Sequence, residues 1–182
     1  MSLWGRVFAR MYEPVMRKSE EAGLRDMRRA ALAGAEGRVL EIGAGTGLNL
    51  GLYPPGVTSL TLLEPEEPMA RQLRERAARY GAQVLVAPAE ALPVPDAGVD
   101  TVVSTLVLCT VADPAAATAE IARVLRPGGR LLFLEHVRAA DPKLARAQDR
   151  WDPAWRRLGH GCRCNRDTLA VLEAGGLVLG DV

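Results

Sequence analysis

Arg38-Val39-Leu40-Glu41-Ile42-Gly43-Ala44-Gly45-Thr46-Gly47 is an apolar run that stops in three alternating glycines, and it reads as a β-strand running into a ligand-binding loop. Glycine suits such a crossing because a residue without a Cβ takes positive φ and lets backbone N–H groups come close to a ligand. Thr46 is then placed to cap a following helix over residues 46–52, stopped by Pro54-Pro55. The dinucleotide fingerprint G-x-G-x-x-G requires a third glycine where Leu48 stands; here it comes one residue early, as Gly47. The pattern is E-x-G-x-G-x-G. Glu41 closes the strand beside the loop, which suits a ligand with an ammonium-bearing amino-acid end and no pyrophosphate.

A Rossmann-like unit carries a second acidic residue about 20 residues on, at the end of its second strand, where it meets ribose hydroxyls. Glu64, closing Ser59-Leu60-Thr61-Leu62-Leu63, meets that requirement. S-adenosylmethionine (SAM) combines a ribose with an amino-acid end and is the ligand that fits both acids.

Strand-like and helix-like segments alternate from residue 38, which predicts an α/β fold: a mostly parallel, doubly wound sheet with helices on both faces. The expected order is a helix over 66–80, a strand over 83–87, a strand over 99–104, and a helix from Asp113-Pro114 to Leu125. Pro127-Gly128-Gly129 turns the chain into a strand over 130–136. Pro153 divides residues 142–158 into two short helices, a further helix covers 165–173, and 177–182 begins a sixth strand. Two helices over 2–18 and 19–34 come first, so one domain over 1–182 is read as an N-terminal helical lid (1–36) and an α/β core (37–182). Ser2 is the expected cap of the first helix, whose apolar face comprises Leu3, Trp4, Val7, Phe8, Met11 and Val15. Flanked by Arg6, Arg10, Arg17 and Lys18, that face packs on the domain or makes a peripheral membrane contact.

A net charge of +1 over 182 residues gives no basic surface for nucleic acid. No apolar run approaches the about 18 residues of a membrane span, and the first residues lack a signal peptide's apolar centre, so a cytoplasmic location is expected. Three cysteines do not make a disulfide framework. A monomer or homodimer acting on a small molecule fits this composition.

The ordered set of the glycine loop, Glu64, Ala89-Glu90-Ala91-Leu92-Pro93, Val99-Asp100-Thr101-Val102-Val103 and Leu125-Arg126-Pro127-Gly128-Gly129 resembles class I SAM-dependent methyltransferases of the Methyltransf_11 type. Tyr53-Pro54-Pro55-Gly56, Thr105-Leu106-Val107-Leu108-Cys109, Glu135-His136-Val137 and Asp152-Pro153-Ala154-Trp155 before Gly161-Cys162 look like methyltransferase-like proteins whose vertebrate members are thiol S-methyltransferases. Those relatives carry an N-terminal membrane anchor for which this sequence has no counterpart. Their fold closes with a seventh strand for which nothing remains after Val182, so the C-terminal hairpin is expected to be incomplete.

The resemblance implies methyl transfer from SAM, yielding S-adenosylhomocysteine, to a small acceptor, in first place a thiol. Carbon or nitrogen methylation of a quinone or lipid-type acceptor is the alternative, and a non-catalytic SAM-binding regulator is the reading of another class. By resemblance, Glu41 and the backbone of Gly43, Ala44, Gly45, Thr46 and Gly47 surround the methionine end, with Asn49 either beside it or a plain helix residue, and Glu64 accepts from the ribose. Pro65 and Met69 pack on adenine, although Met69 equally fits the helix core; Ala89, Glu90 and Ala91 meet its edge. Thr105 and Leu106 border the sulfonium, and Leu108, Trp151, Asp152 and Trp155 shape an acceptor pocket. A thiol is already partly ionised near neutrality, so no triad is expected; His136, ending the fifth strand, is the one candidate for a base. His160-Gly161-Cys162-Arg163-Cys164 offers three ligand types at a spacing that is wrong for zinc, so no metal is expected.

Overall fold

The computed structural model describes residues 3–159 and 161–180. Ser2, His160 and Val182 lie outside the described residues, as do the side chains of Leu3, Trp4, Val7 and Phe8.

Two helices, α1 (Leu3–Ser19) and α2 (Arg25–Leu32), are joined by a π-helical turn, Glu20–Leu24, in which Gly23 takes a φ of 123°. The sheet follows, with β1 (Gly37–Ile42), β2 (Val57–Leu63), β3 (Gln83–Leu85), β4 (Val99–Thr105) and β5 (Leu125–Leu134). Helix α3 (Glu67–Ala77) connects β2 to β3 and α4 (Pro114–Val124) connects β4 to β5; α5 (Pro142–Leu158) and α6 (Thr168–Ala174) close the described chain. All four strand pairings are parallel and the order is β3-β2-β1-β4-β5. The chain leaves β1 toward β2 on one side and returns to β4 on the other, so the carboxyl ends of β1 and β4 flank the topological switch point, where open α/β sheets place their ligands.

Alternation along β1 builds the two faces. Val39 packs with Leu32 and Val103, whereas Leu40 and Ile42 join Val102, Ile121 and Leu172 on the opposite side. A third cluster, Leu62, Leu73 and Ala77, seats α3.

Several boundaries differ from expectation, each for a local reason. Residues 46–52 form successive turns, not a helix: Gly47 and Gly51 take φ of 88° and 80°, and the bonds run from Gly47 N to Ala44 O and from Leu50 N to Gly47 O. Thr46 is fully buried and caps no helix. Strand β3 stops at Leu85, whose carbonyl accepts from Glu64 N–H at 3.1 Å. Pairing on β5 resumes already at Leu125, with the Arg126–Gly129 segment bulging between the Val99–Leu125 and Thr101–Arg130 pairs. Pro153 does not divide α5, because the turn is exposed and water can satisfy the carbonyl it frees. Residues 177–180 form no strand; Leu177 and Leu179 pack on the core while Val178 is 96% exposed. Of the expected apolar face of α1, only Met11 and Val15 have described side chains. Ala9 is buried and Glu13 pairs with Arg76 of α3, but Met11 and Val15 are exposed.

Candidate active site

The glycine loop leaves β1 with Gly43, Gly45 and Gly47 all at positive φ, as close backbone approach requires. A Cβ on Gly43 would stand 2.6 Å from Val107 Cγ2 of the loop after β4, so the two loops can meet only with glycine there. Glu64, buried at the end of β2, accepts from Gly45 N–H at 2.9 Å and from Glu66 N–H at 2.8 Å. Burial pushes its carboxyl above the ordinary range, with these two backbone donors opposing. A carboxylate has about four acceptor positions, so two remain for a diol. Met69, in the first turn of α3, reaches to 3.5 Å from the Cβ position of Gly45 and is buried; Pro65 is exposed.

Glu41, Asn49 and Thr105 are brought together at the switch point. Asn49 Nδ2 donates to Glu41 Oε1 and to Thr105 Oγ1, both at 2.9 Å, and Tyr53 Oη donates to Glu41 Oε2 at 2.5 Å. Arg28 enters from α2 and completes the group. Its Nη1 donates to Thr105 Oγ1 at 2.9 Å and to Asn49 Oδ1 at 3.2 Å, while Nε pairs with Glu20 at 3.0 Å. Burial raises the Glu41 carboxyl to about 7, against the bonds from Tyr53 and Asn49 and the field of Arg28. Tyr12 of α1 leans over the loop, 3.9 Å from the Cβ position of Gly45. Leu106, beside Thr105, takes φ of 60°, a strained conformation for a residue with a side chain.

Ala89 packs in the core, Ala91 donates to Pro88 O, and Glu90 accepts from Ala112 and Asp113 N–H at 3.0 and 3.2 Å, tying two loops together. Leu108 is 1% exposed, inside the core. Trp151, Asp152 and Trp155 do share a groove of about 410 Å³, with Leu144 and Gln148 among its other walls. His136 directs Nδ1 at two thiols, 3.3 Å from Cys162 Sγ and 3.7 Å from Cys109 Sγ.

Arg28, Tyr53 and Glu135 were not foreseen. Arg28 stands four residues from both Leu24 and Leu32, on the face that α2 turns inward, and that spacing was the available signal. Glu135 holds the loop after β4: it accepts from Ser104 Oγ at 2.7 Å and from the N–H groups of Val107, Leu108 and Cys109 at 2.9, 3.0 and 3.2 Å.

A family model described as a methyltransferase domain matches residues 40–133, from β1 to β5. The chain is 41% identical over 152 residues to the human protein named thiol S-methyltransferase TMT1B, covering 78% of this chain and 61% of that one. The rat protein of the same name is 33% identical over 181 residues, covering 94% of this chain and 72% of its own length. The crystal structure of the YcgJ protein of Bacillus subtilis superposes with a TM-score of 0.71 at 26% identity, covering 87% of this chain and 69% of that one. With the parallel sheet, the glycine loop and the acid after β2 all in place, the chain belongs to the methyltransferase-domain family, among the class I SAM-dependent methyltransferases.

Proposed function

We propose that the chain transfers a methyl group from SAM to a small-molecule thiol. The observation that supports the donor half is Glu64 at the carboxyl edge of the sheet, which accepts from Gly45 N–H of the glycine loop and from Glu66 N–H and keeps about two acceptor positions for a ribose diol. In this reading Glu64 takes the ribose, Glu41 and Asn49 take the ammonium end, and Met69 flanks the base. Bound SAM supplies a methyl group on a sulfonium whose departure needs no acid. Thr105 and the strained Leu106 then position the acceptor, and holding it in line can contribute on the order of 7–11 kcal/mol. The acceptor half is supported by the 41% identity to a protein named for thiol methylation. No residue need act as base, since a free thiol loses its proton to solvent. In the whole reaction the thiolate sulfur gains the methyl carbon as the sulfonium carbon–sulfur bond breaks, giving a thioether and S-adenosylhomocysteine. The groove at Trp151 and Trp155 supplies apolar surface for such an acceptor.

The test is an acceptor panel of alkyl and aryl thiols, amines and quinones read by mass spectrometry. Thioether formation that rises with pH along the thiolate fraction is expected. Turnover confined to amines or quinones would overturn the acceptor, and SAM binding without S-adenosylhomocysteine from any acceptor would overturn catalysis.

A further inference from the structure

Cys109, His136 and Cys162 come from three separate parts of the chain: the loop after β4, the segment after β5 and the link between α5 and α6. Their donor atoms close a triangle with edges of 3.6 Å (Cys109 Sγ to Cys162 Sγ), 3.3 Å (Cys162 Sγ to His136 Nδ1) and 3.7 Å (Cys109 Sγ to His136 Nδ1). Both cysteines are buried and the histidine is half-buried. Zinc with Zn–S bonds of about 2.3 Å and Zn–N bonds of about 2.0–2.1 Å has tetrahedral S···S edges of about 3.8 Å and S···N edges of about 3.6 Å. The triangle therefore has nearly the dimensions of one face of such a tetrahedron. Thiol hydrogen bonding explains contacts taken singly, but two soft sulfurs and an imidazole nitrogen converging on one point offer a cation a shared centre.

The surrounding backbone fixes the donors in advance. Glu135 binds the N–H of Cys109 itself, Arg163 N–H donates to Cys109 O at 2.8 Å, and Arg166 Nη1 and Nη2 each donate to Val111 O at 3.1 Å. Cys164 Sγ stands 3.7 Å from Cys162 Sγ, outside the group of three donors that lie within 4.8 Å of one another. We propose that Cys109, His136 and Cys162 bind one Zn2+ through two thiolates and Nδ1, clamping the 161–166 segment onto the loops after β4 and β5. Binding forms two Zn–S bonds and one Zn–N bond in place of water ligands of the aqueous ion, keeps one water as the fourth tetrahedral ligand, and releases the thiol protons to solvent. The clamp braces the loop that begins at Leu106, after Thr105, without entering the methyl transfer, so it stands whether or not the donor reading does.

The test uses the full chain, reduced and stripped of metal, titrated with Zn2+ against a chromophoric chelator and with Co2+ followed by absorption. One equivalent of zinc per chain is expected, with a thiolate-to-Co2+ charge-transfer band and the intense d–d bands of tetrahedral cobalt. Cys109→Ser and His136→Gln should each weaken zinc binding by more than about 100-fold, beyond the 10–100-fold range of residues outside the ligand set. Should those variants not fold, alkylation mapping on the unaltered chain decides: Zn2+ should protect Cys109 and Cys162 together. Failure to retain zinc against the chelator, a weak octahedral cobalt spectrum, or protection of Cys162 and Cys164 with Cys109 still reactive would overturn the assignment.

Discussion

A guanidinium that is 2% exposed survives in a fold only through its partners, and those of Arg28 include Glu20, Asn49, Thr105 and Tyr12. Replacing it by Met strands the Glu20 carboxylate and Asn49 Oδ1, while Thr105 Oγ1 keeps its bond from Asn49, so Arg28→Met should cost about 3 kcal/mol in urea unfolding, the lower end for breaking a buried pair because Glu20 keeps some solvent. An unchanged midpoint would contradict that role. Glu41 predicts a pH dependence. Its carboxyl is raised from 4.5 to about 7, so between those values the folded chain keeps a proton that the unfolded chain has released. The burial cost is absent at low pH and fully felt above about 7, so Glu41→Gln should stabilise the unliganded chain by about 3 kcal/mol at about pH 8 and by nothing at about pH 4. A cationic ammonium needs the ionised form. SAM affinity should therefore climb from about pH 6 to about pH 8 in the unaltered chain and stay flat in Glu41→Gln, as calorimetry at several pH values would show. Both acids, Glu41 and Glu64, were legible in the sequence because each ends a strand at a fixed offset from the glycines. Arg28 was not, since Glu20, Asn49 and Thr105 lie 8, 21 and 77 residues away.

At the scale of elements, the strands and α3 were readable because apolar runs and 3.6-residue spacing are local properties. The error at residues 46–52 was also local: Gly47 and Gly51 look tolerable inside a short helix, yet both adopt the left-handed region and split it into turns. Pro153 misled in the opposite direction, because exposure decides whether proline breaks a helix and exposure is not written in the sequence. The same glycine chemistry separates two variants. Gly81 ends the short 3₁₀ turn after α3 at φ of 64° with nothing within 4 Å of a Cβ, so Gly81→Ala should cost about 1 kcal/mol, from backbone strain alone. Gly43→Ala adds the 2.6 Å clash with Val107 to similar strain and should cost about 2–4 kcal/mol, together with loss of SAM binding. Equal thermal shifts for the two would show that the loop contact is soft.

Across the whole molecule, the glycine loop, Glu41, Glu64 and Thr105 converge because three strand ends meet on one edge of the sheet. That convergence follows from parallel topology, which alternating segments already implied. What no local pattern could give is pairing across the sheet: Glu135 under the β4 loop, and Cys162 against Cys109 and His136. The cluster at 160–164 was judged by its own spacing, whereas the closed triangle draws on residues 53 and 26 positions earlier. Among the described residues no helix is long and apolar enough to cross a membrane. The account rests on Glu64 as the ribose acceptor of a SAM site, and calorimetric titration of SAM into the unaltered chain and Glu64→Ala tests it most directly. One SAM per unaltered chain is predicted, with affinity at least about 100-fold lower in Glu64→Ala at unchanged circular dichroism, from two lost bonds to a charged acceptor. Equal SAM affinity in both proteins, or none in the unaltered chain, would contradict it.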